Sequence, residues 1–266
     1  MDIHKSSDVS PSSWSLTIGN GAENHVGMEF LGKKRNKGEG WNLNDLNEAK
    51  KFFELIGKKT EMYNLNTLLP PGLAKSVPPA YFMVVRQYLS DECHKKLIEE
   101  LCSYDWDNKY FDTRRGKVLN KLARHNVCYG DVYQSPDYEN KKGTIINWGK
   151  SPIVHTIKKS IEKIMNEKDL LVEGNKYDNI KKNGIGAHGD TERVIVACCR
   201  VGASNPIKFG YFHKGLHIGE SLECMINGGD LYFMSEEAVG TNWRSYNRYT
   251  IRHAAGSPKY LKFNTG

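Results

Sequence analysis

Short strand-like segments fill the chain after residue 170, and this pattern constrains the fold most. They are RVIVACCRVG, PIKFGYFHKG, SLECMINGGDLYFM, NRYTIRHAAG and PKYLKF. Segments of this length, with Gly, Asn, Ser and Pro between them, are typical of antiparallel sheets. The second half of the chain is therefore predicted to form a sandwich or barrel of short strands.

Amphipathic helices precede these strands. The helix CHKKLIEELCSY follows the strand-like run YFMVVRQYL and is capped by Ser90, Asp91 and Glu92. A later helix begins at Ser151, has Pro152 in its first turn, and carries isoleucines along one face. Helices followed by a run of strands predict an α+β fold in which the helices brace one side of the sheet structure.

The region before this domain is predicted to have two parts. Residues 1–40 are rich in Ser, Gly, Asn and Lys without a periodic apolar pattern, which indicates a flexible leader. Residues 41–79 are expected to hold a short helix, capped by Asn44 or Asp45, and a linker with four prolines. The structured domain would then span residues 80–266.

Composition narrows the class of protein. The 266 residues carry a net charge of +7, which favours polyanionic partners such as nucleic acid. No segment has the length and apolarity of a signal peptide or membrane helix, so a protein of the nucleus or cytoplasm without a membrane partner is expected. The protein is also expected to be a monomer. The six cysteines lack CxxC spacing and are predicted to be reduced thiols.

A His-x-Asp pair, His188 and Asp190, lies in GIGAHGDTERVIVA. Residues two apart on a strand point to the same side, so both side chains can hold one metal ion. His253, in the later strand YTIRHAAG, would complete a triad of two histidines and one carboxylate. Such a triad leaves coordination positions open for other ligands.

The remaining histidines have less suitable positions. His213 and His217 flank Gly215 in what reads as a hairpin turn, where exposed histidines are common. The others lie in the predicted leader, on helices, or before the sheet: His4, His25, His94, His125 and His155. His253 is therefore the preferred third ligand.

Four stretches of the chain, one of which carries two motifs, match a known family in order and spacing. RHNVCYGD is similar to PR-x(4)-YGD, and NKYDNIKKNGIGAHGDTE is similar to N-x-Y followed by H-x-D-x-[DE]. PIKFGYFHK and GGDLYFM are similar to the strands that follow. Over roughly residues 81–263 the chain resembles the AlkB-like Fe(II)/2-oxoglutarate dioxygenases, especially those that demethylate damaged bases in nucleic acid.

This resemblance implies a double-stranded β-helix, or jelly roll, braced by helices and preceded by an N-terminal extension. It implies Fe(II) bound by His188, Asp190 and His253, with 2-oxoglutarate and O2 as cosubstrates. By the same resemblance, Asn175 and Tyr177 would hydrogen-bond 2-oxoglutarate.

The resemblance also implies a set of substrate-binding residues. Glu192 would contact the exocyclic amine of a flipped base. The other expected contacts come from the YGD segment and from the family's nucleotide-recognition lid, which matches residues 104–117: Arg124, Tyr129, Asp131, Trp106, Arg114 and Arg115. Aromatic and cationic side chains of this kind suit a base removed from its stack.

A 2-oxoglutarate enzyme needs a cation for the distal carboxylate, on a strand beyond the last histidine. Lys259 and Lys262 in SPKYLKF are the candidates, and strand alternation puts them on opposite sides, so one is expected in the site. Lys259 is preferred. Here the chain departs from the family, whose R-x-N-x-T-x-x-R strand has arginines at both positions.

The interval between GGDLYFM and His253 is also longer than in typical repair enzymes. It adds Trp243, Arg244, Tyr246, Arg248 and Tyr249. This insertion either shapes a different substrate or elaborates a hairpin. Besides N-demethylation of DNA or RNA, the alternatives are hydroxylation of a C-methyl base, a protein side chain or a small molecule, and an inactive nucleic-acid-binding module.

Overall fold

A computed structural model describes residues 11–265 of the chain. Its strands are β1 (Ser13–Gly19), β2 (Gly21–Glu23), β3 (Phe30–Gly32), β4 (Thr60–Asn64), β5 (Tyr81–Val85), β6 (Lys109–Asp112), β7 (Lys117–Asn120), β8 (His125–Gly130), β9 (Ile145–Asn147), β10 (Leu171–Tyr177), β11 (Gly184–His188), β12 (Val196–Gly202), β13 (Asn205–His213), β14 (Leu216–Ile226), β15 (Leu231–Met234) and β16 (Thr250–Gly256). The helices are α1 (Leu43–Leu55), α2 (Pro71–Ala74), α3 (Asp91–Cys102), α4 (Pro152–Ile164) and α5 (Glu236–Val239), with a 3₁₀ helix at Leu65–Leu68.

Most strands belong to two sheets. The larger has eight strands in the order β4-β5-β15-β12-β1-β10-β8-β9, and the smaller has four in the order β11-β16-β13-β14. Neighbouring strands are antiparallel, except for the parallel pair β8 and β9. Strands β2 with β3 and β6 with β7 form separate two-stranded ribbons. The fold is therefore mixed, as the α+β prediction required.

The two faces of the larger sheet have different partners. One face packs against helices α1, α3 and α4 in a core that includes Phe53, Leu97 and Ile161. The opposite face joins the smaller sheet in a second core, where Phe82 of β5 lies 4.8 Å from Phe209 of β13, measured between ring centroids. The helices brace one side of the sheet structure, and a cleft opens between the two sheets.

The predicted helix boundaries agree closely with the structure. Ser90 caps α3 by accepting a hydrogen bond from the Cys93 backbone N–H, as its sequence indicated. Helix α4 begins at Pro152 as predicted. Helix α1 is capped by Asn42 rather than by Asn44 or Asp45, because Asn42 and Asp45 form a reciprocal capping box.

The prediction of a flexible leader is wrong for residues 11–40, and its first ten residues lie outside the described part of the chain. Strand β1 lies in the middle of the larger sheet, paired with β10 on one side and β12 on the other. Its residues alternate: Trp14, Leu16 and Ile18 are buried in the helix-facing core, while Ser15 and Thr17 face the cleft. Both edges and one apolar face of this strand are thus used by the fold.

Residues 41–79 are not a linker between domains. Phe53 of α1 is fully buried in the core, and β4 pairs along its length with β5. The proline-rich run follows the 3₁₀ helix and contains α2. Asn66 of the 3₁₀ helix holds this run by donating to the Ala74 carbonyl and accepting from the Ala80 N–H. The boundary placed near residue 79 therefore falls inside one packed unit.

Two further expectations concern the membrane and the cysteines. Among the described residues, no helix is long and apolar enough to cross a membrane. All six cysteines are free thiols, as predicted from their spacing. Cys198 and Cys199 are buried on β12, with one on each side of the sheet.

Replacing Leu16 with alanine is expected to lower the free energy of unfolding by about 2–5 kcal/mol, because a fully buried leucine leaves a cavity in the core. Leu122 is 91% exposed and offers a matched control, since Leu122→Ala should change stability by less than about 0.5 kcal/mol. Urea unfolding of both variants measures the difference. If both variants lost equally little unfolding free energy, the result would contradict the structure and support a flexible leader in residues 11–40.

Candidate metal centre and its cavity

A cavity with a volume of about 410 Å³ lies between the two sheets. Strands β1, β10 and β12 supply its polar floor, because Ser15 lies directly opposite both Asn175 and Arg200 in the strand register. Strands β11 and β16 of the smaller sheet supply the facing wall with His188 and His253. The polar face of one sheet is thus set against the histidines of the other.

The cavity wall brings the three predicted ligands together. His188 and His253 are direct partners in the register of β11 and β16, and their ring centroids are 4.5 Å apart. His188 Nε2 lies 3.8 Å from Asp190 Oδ1. One donor atom from each of the three side chains lies within 4.8 Å of the others, a spacing at which one metal ion can bind all three.

Asp190 reaches this position in a different way from the one predicted. Strand β11 ends at His188, so Asp190 lies in the following loop and strand alternation does not orient it. Its backbone N–H donates instead to the carbonyl of Val239 at 3.1 Å. Gly189 packs so closely against Gly240 that a side chain at this position would collide with the Gly240 carbonyl. The loop between the two ligands is held by backbone contacts with the last residue of α5 and with Gly240, which follows it.

The orientation of His188 and the protonation state of both histidines suit the binding of a metal ion. His188 Nδ1 is 2.8 Å from the Gly186 carbonyl, which leaves Nε2 directed towards Asp190. Burial lowers the pKa of His188 and lowers the pKa of His253 well below its ordinary value. Both rings are therefore neutral near pH 7, the form in which imidazole binds metals. Two neutral imidazoles and a carboxylate form the donor set that non-haem Fe(II) takes.

Arg193 connects the triad carboxylate to a buried charge network. Its Nε lies 3.7 Å from Asp190 Oδ2, and its Nη2 donates to Glu173 at 2.6 Å and to Glu192 at 2.8 Å. The side chain is 4% exposed. Arg193 thus limits the orientations open to the Asp190 carboxylate, in the way that outer-sphere partners orient metal ligands.

Arg200 is the buried cation at the floor of the cavity. The residue is 1% exposed, and its Nη1 donates to Ser15 at 2.7 Å. Its Nε is buried and has no hydrogen-bond partner within the described residues. Burying a guanidinium with an unused donor is costly unless a ligand completes its bonding. Arg200 also has no carboxylate partner within the described residues, in contrast to Arg193, which pairs with Glu173 and Glu192.

The structure does not bring Lys259 or Lys262, the predicted anchors of 2-oxoglutarate, into this cavity. Strand β16 ends at Gly256, and the chain then turns, because the Ser257 N–H donates to the Asn183 carbonyl at 2.9 Å. Both lysines lie beyond the strand and are exposed, and neither lines the cavity. The Lys259 ammonium lies over the ring of Tyr260 instead.

Asn175, Tyr177, Arg124 and Glu192 all line the cavity, as expected. The Asn175 amide is already engaged: its Oδ1 accepts from Arg124 Nε at 2.7 Å and its Nδ2 donates to Glu173 at 3.0 Å. Asn175 therefore orients Arg124 as much as it offers a contact of its own. The Arg124 guanidinium is held at the cavity wall by this bond.

Three predicted substrate contacts lie elsewhere. Tyr129 is fully buried in the helix-facing core and bonds to the Tyr104 hydroxyl at 2.7 Å. Trp106 packs against the same core and donates to the Leu101 carbonyl at 3.0 Å. Asp131 is exposed in the turn after β8 and does not line the cavity. Strand alternation explains why Tyr129 is buried away from the cavity, because its side chain lies on the face of β8 that packs against the helices.

Arg114 and Arg115 lie at the exposed turn of the β6–β7 ribbon, where both backbone N–H groups donate to Asp112. The ribbon approaches the cavity through Tyr110, whose ring stacks on His25 with centroids 3.7 Å apart. His25 itself lines the cavity. The two arginines are thus on the ribbon beside the cavity mouth rather than inside it, and their contact with substrate stays a prediction.

The longer interval before His253 contributes two cavity residues. Trp243 and Arg244 line the cavity, and the Arg244 guanidinium lies 5.1 Å from the Trp243 ring centroid. Tyr246, Arg248 and Tyr249 do not line it. The insertion therefore forms part of the wall around the triad rather than a remote hairpin.

The sequence analysis did not identify several residues that line the cavity, although the strand pattern gives a signal for some of them. The alternation of polar and apolar residues in SWSLTIG places Ser15 and Thr17 on one face of a strand. Arg200 stands in the apolar run VIVACCRVG, where a lone cation is a signal of a buried functional charge. His25, Arg193 and Tyr232 carry no comparable signal in the sequence.

The comparison with known proteins gives a relative but no activity. No family model matches the chain. It is 37% identical over 249 residues to the uncharacterized protein R156 of Acanthamoeba polyphaga mimivirus, an alignment that covers 93% of this chain and 97% of that protein. The name of that protein states no activity, substrate or cofactor.

Proposed function

We propose that this chain, which belongs to the same family as the uncharacterized mimivirus protein, is an Fe(II)- and 2-oxoglutarate-dependent oxygenase. The observation that carries the proposal is one cavity with the donor set of a facial triad on its wall and a buried, incompletely bonded arginine on its floor. A metal ion and a carboxylate-bearing cosubstrate are the ligands that these two features suit.

The proposal extends to the fold and the family. The facing sheets, with the triad at one end of β11 and on β16, agree with a double-stranded β-helix of the AlkB-like type. The motifs around Asn175, Glu192 and the GGDLYFM segment support the same relationship. The sheets do not close into a barrel, so the cleft between them stays open to ligands.

In this proposal His188, Asp190 and His253 hold Fe(II), which with 2-oxoglutarate and O2 supplies an oxidant for C–H bonds while 2-oxoglutarate becomes succinate and CO2. The ion pair with Arg193 limits the orientations of the Asp190 carboxylate. The burial of the histidines keeps them neutral and ready to bind.

Arg200 replaces the lysines as the proposed anchor of 2-oxoglutarate. Its guanidinium can donate to both oxygens of a carboxylate, a geometry that lysine cannot offer. The Ser15 hydroxyl accepts a hydrogen bond from the guanidinium and holds it in place. Tyr177 lines the same region of the cavity and is placed to contact the cosubstrate.

The proposed substrate is an N-methylated base of DNA or RNA. Arg124 and Arg244 line the cavity, and the β6–β7 ribbon adds Arg114 and Arg115 beside its mouth. Cations of this kind attract the phosphate backbone of a nucleic acid. The stacked pair of His25 and Tyr110 offers an aromatic surface near the same opening.

A panel of methylated oligonucleotides tests this activity. Single- and double-stranded DNA and RNA, each with one N-methylated or C-methylated base, are incubated with Fe(II), 2-oxoglutarate and O2, and the products are weighed by mass spectrometry. The proposal predicts loss of a methyl group from an N-methylated base with release of formaldehyde and succinate. A hydroxymethyl product on a C-methyl base would show that C-methyl bases, and not N-methyl bases, are the substrates. Succinate without any nucleic-acid product would contradict the assignment of a nucleic-acid substrate.

A further inference from the structure

Residues 238–266 form a stretch without acidic side chains. They hold five lysine or arginine residues and no aspartate or glutamate. Two of the five, Arg244 and Arg248, belong to the longer interval before His253. The positive charge of this stretch can be balanced only by groups elsewhere in the chain or by a binding partner.

The exposed cations of this region are not balanced from within the chain. Arg244, Arg248 and Lys214, the last in the turn between β13 and β14, are all exposed. In the part of the chain that the structure describes, none of the three lies within ion-pair distance of a carboxylate. Their charges are therefore available to an external polyanion, whose binding releases the counterions that surround it.

Backbone and ring contacts join the insertion to the β13–β14 turn. The Lys214 N–H donates to the Tyr246 carbonyl at 3.0 Å. The His213 ring lies 4.6 Å from the ring of Tyr249, measured between centroids. The insertion thus packs against the turn instead of extending into solvent, and the cations of both segments belong to one surface.

This surface reaches the cavity through Arg244, which lines it. It is built on the smaller sheet, because the insertion leads into β16 and contacts the turn that joins β13 to β14. The β6–β7 ribbon, with its exposed Arg114 and Arg115, is joined to β8 of the larger sheet by a bridge between Asp107 and Asn126. Each of the two sheets therefore carries exposed cations near the cavity. A polymer with many phosphates can contact both groups, whereas a small anion cannot.

Tyr246 distinguishes a nucleic acid from other polyanions. The residue is 65% exposed and lies between Arg244 and Arg248 in the sequence. Single-stranded nucleic acids stack their bases on exposed aromatic rings, while neighbouring cations follow the phosphate backbone. An acidic peptide has no base to stack on this ring.

We infer that Lys214, Arg244, Tyr246 and Arg248 form a contact surface for the nucleic-acid strand whose base enters the cavity. The three cations bind its phosphates, and Tyr246 stacks on one of its flanking bases. The surface belongs to the interval that is longer than in typical repair enzymes, so it is a feature of this chain. Because the strand is the substrate named above, the inference rests on the proposed function.

Binding without turnover tests the cations. The protein is loaded with Fe(II) and 2-oxoglutarate in the absence of oxygen, and labelled single-stranded DNA and RNA oligonucleotides are titrated by fluorescence anisotropy at several salt concentrations. The double variant Lys214→Gln with Arg248→Gln changes two exposed residues outside the cavity. It is expected to weaken binding about fivefold to tenfold at low salt. The slope of log K against log salt should fall by about 1.4, since each phosphate contact on a single strand contributes about 0.7.

Lys95→Gln with Lys163→Gln is the matched control. It makes the same change in net charge, and both lysines are exposed on helices α3 and α4, which cover the other face of the larger sheet. This control should bind both oligonucleotides with the affinity and the salt dependence of the wild type.

Tyr246→Ala tests the stacking contact. It is expected to weaken oligonucleotide binding by about tenfold, the effect of one stacked base, without a change in the salt slope. A polyglutamate peptide is titrated as a second probe. It should bind more weakly than the oligonucleotides, and Tyr246→Ala should bind it like the wild type.

Several results would overturn the inference: no binding of either oligonucleotide, an equal loss in the control pair, or full affinity in Lys214→Gln with Arg248→Gln or in Tyr246→Ala. Polyglutamate binding as tight as oligonucleotide binding would instead identify a surface for an acidic protein. The visible charge-transfer band of Fe(II) with 2-oxoglutarate is recorded for each protein beforehand. If the band forms and the surface variants bind like the wild type, the inference fails while the oxygenase chemistry stands. If the wild type gives no band but the variants behave as expected, the surface stands and the oxygenase proposal fails.

Discussion

Asp190→Ala is expected to lower the rate of 2-oxoglutarate turnover by more than about 100-fold, because loss of an outer-sphere partner alone costs about 10- to 100-fold and this change removes a ligand. Asp190 supplies the carboxylate of the triad, and its oxygen lies 3.8 Å from His188 Nε2. Fe(II) is expected to raise the melting temperature of the wild-type protein but not that of the variant, since a metal stabilises only the fold that binds it.

Asp131→Ala is the matched control for this variant. Asp131 is an exposed carboxylate outside the cavity, and the sequence had assigned it to substrate binding. Its replacement should leave turnover and metal-dependent stability unchanged. Asp190→Asn, which keeps the size of the side chain, separates loss of the ligand from disturbance of the loop. Turnover close to that of the wild type in Asp190→Asn and Asp190→Ala would remove Asp190 from the metal site.

Arg200→Met is expected to weaken the binding of 2-oxoglutarate by about 30-fold or more, because truncating one partner of a buried charge pair costs about 2–5 kcal/mol. Methionine roughly keeps the volume of the side chain, and removal of a buried cation without a carboxylate partner does not leave an opposite charge unpaired. The apo protein should therefore stay folded. Calorimetry with Fe(II) present and oxygen absent measures the dissociation constant directly.

Two further variants decide between the candidate anchors. Arg200→Lys retains the charge but not the paired donors, so it should recover part of the affinity. The double variant Lys259→Ala with Lys262→Ala should bind 2-oxoglutarate like the wild type, since both lysines are exposed and outside the cavity. The reverse pattern, with affinity lost in the lysine variant and kept in Arg200→Met, would restore the original prediction.

Local patterns in the sequence predicted the elements whose signals are local. The capping residue Ser90 and the proline at the start of α4 mark helix ends within a few residues of chain, and both agree with the structure. The three triad residues were also singled out, because His188 and Asp190 are two apart and His253 lies on a recognisable strand. These features depend little on how distant segments pack.

Features that depend on long-range packing were not predicted. Strand β1 was taken for a leader because Ser and Gly dominate its surroundings, yet its partners β10 and β12 lie more than 150 residues away in sequence. The turn after Gly256 carries Lys259 away from the site, and the Asn183 carbonyl that stabilises this turn belongs to another segment. The proposed role of Arg200 depends on the pairing of β1 with β12, which brings the Ser15 hydroxyl within hydrogen-bond distance of its guanidinium.

The central claim is that one cavity holds Fe(II) through His188, Asp190 and His253 and holds 2-oxoglutarate through Arg200. The visible absorption spectrum of the purified protein, recorded without oxygen after addition of Fe(II) and then 2-oxoglutarate, tests it most directly. The claim predicts a weak charge-transfer band that needs both additions, is absent in Asp190→Ala, and requires much more 2-oxoglutarate in Arg200→Met. A wild-type protein with no band and an unchanged melting temperature would contradict it and favour a nucleic-acid-binding module instead.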